Sequence, residues 1–108
     1  METIILASGS PRRKKLLDAM GLSYKIIPAR VDETLKSTSA TKETARLSRA
    51  KVDTVLSSYP ETRSLWVLGA DTLIEMEGKI YGKPASREEA REMIAEFSGK
   101  THRVVTTL

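Results

Sequence analysis

Short apolar runs alternate along the chain with stretches whose apolar residues recur at helical spacing. Thr3 to Ala7 is almost continuously apolar and rich in β-branched residues, the pattern of a strand buried on both faces, as in a parallel sheet. Ser8-Gly9 breaks the run, Ser10 is a good N-cap and Pro11 fits the first position of a helix. In that helix Leu16, Leu17 and Met20 predict one apolar face, and Gly21 suits the left-handed position after its end. A second strand is expected over roughly Tyr24 to Pro28. The stretch Ala29 to Ala40, with Asp32-Glu33 and several Ser and Thr, reads as a loop.

A longer helix is predicted from about Thr41 to Ser57, ended by Pro60. Ala45, Ser48, Val52 and Val55 share one side of it, bordered by Lys51. Leu65 to Ala70 is another buried-type strand, delivering Asp71-Thr72 at its carboxyl end. Leu73 to Met76 and Lys79 to Tyr81 make a hairpin around Glu77-Gly78. A third helix opens on a capping box, Ser86 with Glu89, carries Ala90, Met93, Ile94 and Phe97 as its apolar stripe, and stops at Gly99. Thr101 to Leu108 reads as a last strand. The alternation predicts an α/β fold, a mixed, largely parallel sheet with flanking helices. In open sheets of this kind ligands gather at the carboxyl ends of strands, where Ser8 to Arg13 and Asp71-Thr72 both fall.

Composition narrows the function classes. With 108 residues the chain is one domain or part of one. Its apolar, charged and aromatic shares, 40%, 30% and 5%, are those of a globular protein and not of a disordered tail. The apolar runs are too short to cross a bilayer, so no membrane partner is expected. The first basic residues follow the opening apolar run instead of preceding it, unlike a signal peptide, which makes the cytoplasm the expected compartment. No cysteine is present, which excludes a disulfide framework and a thiolate metal site. The net charge of +4 favours an anionic partner only weakly. Its placement says more, because much of it forms one block, Arg12-Arg13-Lys14-Lys15.

The amino-terminal turn of a helix already carries about half a positive charge from the backbone dipole, so acidic side chains are favoured there. This chain places Arg12 and Arg13 in that turn instead. Each costs a few tenths of a kcal/mol, roughly the range for exposed dipole interactions. A docked polyanion reverses the sign, since free N–H groups, the Ser8 and Ser10 hydroxyls and two guanidinium forks then face phosphate oxygens. The alternative is a solvated basic surface with ordinary capping by Ser10. Gly9 is not followed by G-K-[ST], and there is no G-x-G-x-x-G, which argues against a P-loop ATPase and a nicotinamide enzyme.

Glu33 in its loop and Asp71 after the small residues Gly69-Ala70 are candidate ligands for a hard divalent ion, which takes one or two carboxylates plus phosphate oxygens. Such an ion polarises phosphorus and activates water. Equally, Asp71 reads as a turn residue opening the hairpin and Glu33 as a solvated loop acid. Lys51 and Lys83 are candidates for stabilising charge on phosphate oxygens; Lys83 is held between Gly82 and Pro84. His102, without a Ser or Cys partner at a telling spacing, reads as a satisfied strand histidine, and Trp66 reads as core.

Six stretches occur in the order found in Maf proteins. They are Ala7-Ser8-Gly9-Ser10-Pro11-Arg12-Arg13, Val31-Asp32-Glu33, Ala50-Lys51, Leu68-Gly69-Ala70-Asp71-Thr72, Gly82-Lys83-Pro84 and Ser98-Gly99-Lys100-Thr101-His102. The chain thus resembles a family of nucleoside triphosphate pyrophosphatases once described as septum formation inhibitors. The resemblance implies a Maf/ITPase-like fold and hydrolysis between the α- and β-phosphates with Mg²⁺ or Mn²⁺, as housekeeping of the nucleotide pool. It implies Asp71 as proton acceptor, Glu33 as metal ligand beside Asp71, and Lys51 and Lys83 as active-site lysines. Ser8, Arg12 and Arg13 correspond to the phosphate-binding loop, and Arg12 with Thr72 marks the dTTP/UTP branch as opposed to the 7-methyl-GTP branch.

Family members continue past Leu108 with a second half that completes base recognition, so residues 1–108 are expected to be the N-terminal part of a single domain. An unpaired sheet edge at that point would favour association with another chain, a homodimer for example. Two rival classes remain open on the sequence: a nucleotidyltransferase, and a non-catalytic module that binds nucleic acid or a division partner. The second predicts steeply salt-dependent polynucleotide binding, yet aromatic residues suited to base stacking are sparse and no stable nucleic-acid binding is expected.

Overall fold

Among residues 3–108, which the computed structural model describes, six strands and three α-helices follow one another. Strands β1 (Ile4–Leu6), β2 (Tyr24–Ile26) and β3 (Trp66–Leu68) form a parallel sheet in the order β2-β1-β3. Strands β4 (Asp71–Met76), β5 (Lys79–Tyr81) and β6 (Arg103–Thr107) form an antiparallel sheet in the order β5-β4-β6. Helices α1 (Pro11–Ala19), α2 (Ala40–Ser58) and α3 (Arg87–Phe97) complete the expected mixed α/β arrangement. The two kinds of pairing are segregated, one to each sheet. No helix among the described residues is long and apolar enough to cross a membrane.

The core lies where the opening apolar run placed it. Ile5, Leu6 and Ala7 are all at most 3% exposed, and since alternate strand residues face opposite ways, β1 is covered on both sides. Ile5 and Ala7 meet Val55 of α2, with Ile27, Ala29 and Val67 around them. Full burial of a side chain such as Ile5 or Val55 contributes about 1.5–3 kcal/mol. Helix α2 also packs on β4 and β6, and Thr44, fully buried, bonds the Thr107 hydroxyl of β6 at 2.7 Å. Between β4 and β5 the chain reverses in two residues, Glu77 and Gly78, both at positive φ, the turn that matches the right-handed twist of a hairpin.

Several apolar stripes legible in the sequence are only partly covered. In α1 only Leu17 is buried, while Leu16 is 63% and Met20 68% exposed. Helix α3 buries none of its residues, and Ile94 is 69% exposed. Trp66, expected in the core, is 70% exposed. It lies on β3, which among the described residues pairs only with β1 and so forms an edge of its sheet. Periodicity identifies which side chains share a face; it does not say that a second layer covers that face. His102 precedes β6 and stacks on Phe97, with ring centroids 5.2 Å apart. The radius of gyration, 15.4 Å, exceeds the value of about 13 Å for a compact domain of this length.

The segment from Ile27 to Ser39 has neither helix nor strand, and it is tied down by α2. Glu43, 3% exposed, accepts from the Lys36 backbone N–H and pairs with Arg46 at 3.0 Å. Arg46 also donates to the Thr34 carbonyl oxygen at 3.0 Å. The Arg46 guanidinium and then the Lys36 amide pull the Glu43 carboxyl down to about 2.

Where α2 crosses the β3–β4 junction, a Cβ on Gly69 would lie 2.6 Å from the Ser48 carbonyl oxygen and 2.7 Å from Val52 Cγ2. Gly69→Ala should therefore cost about 1–3 kcal/mol, the usual penalty for overpacking. Urea denaturation reads this, and an unchanged midpoint would show that the helix backs away freely. Because the Glu43 carboxyl is depressed in the fold, its contribution is complete above the ordinary value of 4.5 and disappears as pH falls through about 2. The stability difference between the chain and Glu43→Gln should accordingly shrink only within that acid window. A difference that vanishes near neutrality contradicts these bonds of the Glu43 carboxylate.

Candidate functional site

Two groups of side chains meet at the first residues of β4. The first is built on the loop between β1 and α1. Ser8 is buried at the end of β1, and its Oγ accepts from the Ser10 backbone N–H at 3.2 Å. Ser10 occupies the N-cap position of α1 without a side-chain capping bond, and no acidic residue stands in the first turn. The helix terminus thus keeps its positive end uncompensated. Arg13 folds back from that turn, donating to Ser8 Oγ at 3.1 Å and across to Thr72 Oγ1 at 3.3 Å. Thr72 Oγ1 is in turn 2.9 Å from Thr106 Oγ1, its directly opposite partner on β6. Arg12 is exposed beside this chain of bonds.

The second group centres on Lys51 of α2. Its Nζ lies 3.0 Å from Asp71 Oδ1, 3.3 Å from Glu33 Oε1 and 3.4 Å from the Ala70 carbonyl oxygen. Asp71 is buried and Lys51 largely so, with side chains 7% and 12% exposed, while Glu33 faces solvent at 59%. Asp71 Oδ2 is buried and has no hydrogen-bond partner among the described residues. A buried carboxylate oxygen left open is uncommon and calls for a reason, such as a ligand that takes its lone pairs.

Alternation along β4 divides the two groups. Asp71 points to α2, as does its cross-strand partner Thr107, which reaches Thr44. Thr72, the next residue, points to the Ser8–Arg13 loop. The groups are therefore joined through a single peptide unit, Asp71–Thr72.

Of the candidates named from sequence, Ser8, Arg13 and Thr72 fall together, and so do Glu33, Lys51 and Asp71. Asp71 is the first residue of β4, and its carboxylate is engaged by Lys51. Lys83 is exposed after β5, and no hydrogen bond or ion pair links it to either group among the described residues. Thr106 was not anticipated, because the register that sets it opposite Thr72 is a tertiary fact. Neither were Glu43 and Arg46: an acid in the first turn of a helix reads from sequence as dipole compensation. No cluster of three or more His, Cys, Asp or Glu suited to a metal occurs among the described residues. A hollow of about 460 Å³ beside Ala45, Ser48, Val52 and Leu68 contains none of the candidate residues.

Comparison with known proteins converges on one family. The family described as "Maf-like protein" matches residues 3–108. A dTTP/UTP pyrophosphatase of Syntrophus aciditrophicus is 40% identical over 106 residues, covering 97% of this chain and 50% of its own. One from Bacillus anthracis is 43% identical over 107 residues, covering 98% and 54%. One from Agathobacter rectalis is 40% identical over 116 residues, covering 98% and 57%. The chain spans about half the length of the curated relatives it matches.

Removing the ammonium from the second group isolates its structural worth. Lys51→Met leaves the buried Asp71 carboxylate uncompensated and should cost about 3–5 kcal/mol. The double variant Lys51→Met/Asp71→Leu should recover most of that loss. Denaturation of the single and double variants measures it; a single-variant loss below about 1 kcal/mol, the value of an exposed pair, would show that water reaches both groups.

Proposed function

The chain belongs to the Maf-like proteins, and on that premise we propose that it acts in hydrolysis of nucleoside triphosphates, dTTP and UTP, to the monophosphate and pyrophosphate. In this reading residues 1–108 are the N-terminal part of a single pyrophosphatase domain working in the cytoplasm. The observation that carries it is Asp71, a buried carboxylate with one oxygen on Lys51 and the other without a partner among the described residues, next in sequence to Thr72, which Arg13 reaches.

The Ser8–Arg13 loop takes the phosphates through the open helix terminus, Arg12 and Arg13. Asp71 holds the attacking water by its free oxygen. The water oxygen bonds to phosphorus as the bridging P–O bond breaks, and Asp71 takes the proton released. Lys51 fixes Asp71 and lies close enough to share developing negative charge, and Lys83 joins from the segment after β5. Arg12 and Thr72 contribute to the choice of base.

The donor set suits a divalent ion: two carboxylates, Glu33 and Asp71, both reach the Lys51 ammonium, and the second oxygen of Asp71 has no partner among the described residues. Hard oxygen ligands of this kind, completed by phosphate oxygens, are those Mg²⁺ or Mn²⁺ uses. Bound there, the ion supplies Lewis-acid polarisation of the phosphate and a more acidic water.

Pyrophosphate release from dTTP, UTP and 7-methyl-GTP in the presence of Mg²⁺, measured on the protein at full length, tests the reading. Release is expected from the first two. Asp71→Asn should lower turnover by roughly 10²–10⁴-fold, the usual scale of general-base catalysis, with nucleotide binding retained. The proposal fails if no nucleotide yields pyrophosphate, or if Asp71→Asn turns over normally.

A further inference from the structure

Glu33 poses a mechanical problem. It meets Lys51 Nζ at 3.3 Å, yet it sits in a segment with no helix or strand, and its side chain is 59% exposed. Neither its own burial nor a sheet ladder holds it. The bonds that do hold it lie on either side. Asp32 Oδ1 accepts from the Thr34 N–H at 3.0 Å and from Thr34 Oγ1 at 2.6 Å, closing a tight turn with Glu33 in its middle. The far side of that turn is fastened to α2, where the Thr34 carbonyl oxygen accepts from Arg46 and the Lys36 N–H donates to Glu43.

The Glu43 carboxylate is an unexpected choice for this task. An acid in the first turn of a helix interacts well with the dipole from a solvated position, and there burial is unnecessary. Here the side chain is 4% exposed, and a carboxylate is buried only at a cost unless it is paired and hydrogen-bonded. Its partners answer that cost: Arg46 grips both oxygens, Nη2 to Oε1 at 3.0 Å and Nε to Oε2 at 3.3 Å, and Lys36 N–H takes one of them. Glu43 and Lys51 stand eight residues apart on α2, close to one face of the helix. One rigid element thus anchors the turn at Glu43 and receives its carboxylate at Lys51.

We propose that Glu43 and Arg46 are positioning residues, a clamp that holds the Glu33 carboxylate against Lys51 and so sets its distance from Asp71. The clamp acts only through Glu33, and its functional weight rests on the reading of Glu33 and Asp71 as a shared cation site. Freed from α2, the 32–36 turn would explore many positions and the second carboxylate would be lost to the site most of the time.

The test uses the full-length protein and two variants, Glu43→Gln and the milder Arg46→Gln, whose side chain is partly exposed and whose loss leaves the Lys36 bond in place. Thermal melts confirm that each is folded. Amide hydrogen exchange over Thr34 to Lys36 should accelerate about 10-fold or more. Mn²⁺ binding in the presence of α,β-methylene-dUTP, followed by calorimetry, should weaken about 5- to 10-fold. Inorganic triphosphate without metal, which meets only the Ser8–Arg13 loop, should bind as before. Unchanged exchange in both variants overturns the clamp. Faster exchange with unchanged Mn²⁺ affinity overturns its positioning role. Asp71→Asn run alongside separates the failures: if it weakens Mn²⁺ binding while the Glu43 and Arg46 variants do not, only the positioning proposal falls. If none of the variants weakens it, the cation site itself falls, and the positioning role with it.

Discussion

Helix α2 passes the β3–β4 junction so closely that no side chain fits between them, and Gly69 is the residue that permits it. The Ser48 carbonyl oxygen occupies the space that a Cβ would need. Lys51 is three residues further along the same helix, on the same side. It therefore comes down on the Ala70 carbonyl oxygen and the Asp71 carboxylate, the next two residues after the glycine. Close approach of backbones is a packing matter, but here it also fixes the electrostatics. Were the helix further off, the Asp71 carboxylate would be buried without its counter-charge, a state costing several kcal/mol.

The same helix carries three other attachments. Thr44 reaches β6, Val55 enters the core against β1, and Glu43 with Arg46 holds the segment that bears Glu33. Elements far apart in sequence are thus referred to one rigid body. Strand β4 does the remaining work by alternation, turning Asp71 toward α2 and Thr72 toward the Ser8–Arg13 loop. A one-residue slip in the pairing of β4 with β6 would exchange these directions. The Thr72–Thr106 and Asp71–Thr107 pairings oppose such a slip from both faces of the strand.

Most of the elements were legible because their signals are local. The apolar run at Ile4 to Ala7, Pro11 at the first position of α1, the Ser86 cap and the Glu77-Gly78 turn depend on neighbours a few residues away. The pairing of Ser8, Arg13 and Thr72, and of Glu33, Lys51 and Asp71, was legible only as a set of candidate residues in one order along the chain. Their contacts span up to 59 residues of sequence, and no periodicity encodes that. Burial failed for a related reason. Trp66, Met20 and Ile94 have the composition and spacing of core residues, yet burial requires a second surface, which is a property of the assembled layers. The role of Glu43 was hidden because its residue type and position already had a sufficient local explanation.

The two groups around β4 differ in sign, and that difference constrains what can bind between them. Arg12 and Arg13 enter no ion pair among the described residues, and Arg13 is held by neutral hydroxyls that leave its charge uncompensated. The positive end of α1 adds to it. The Lys51 group sets two carboxylates against one ammonium and is negative in balance. A bare anion would be drawn to the loop and repelled one residue further on, and a bare cation would meet the reverse. A ligand that brings both charges, an anion with a cation beside it, satisfies the two groups together. The short reach between them, a single peptide unit from Thr72 to Asp71, suits the metal–triphosphate complex of the proposed function, in which the two charges lie side by side.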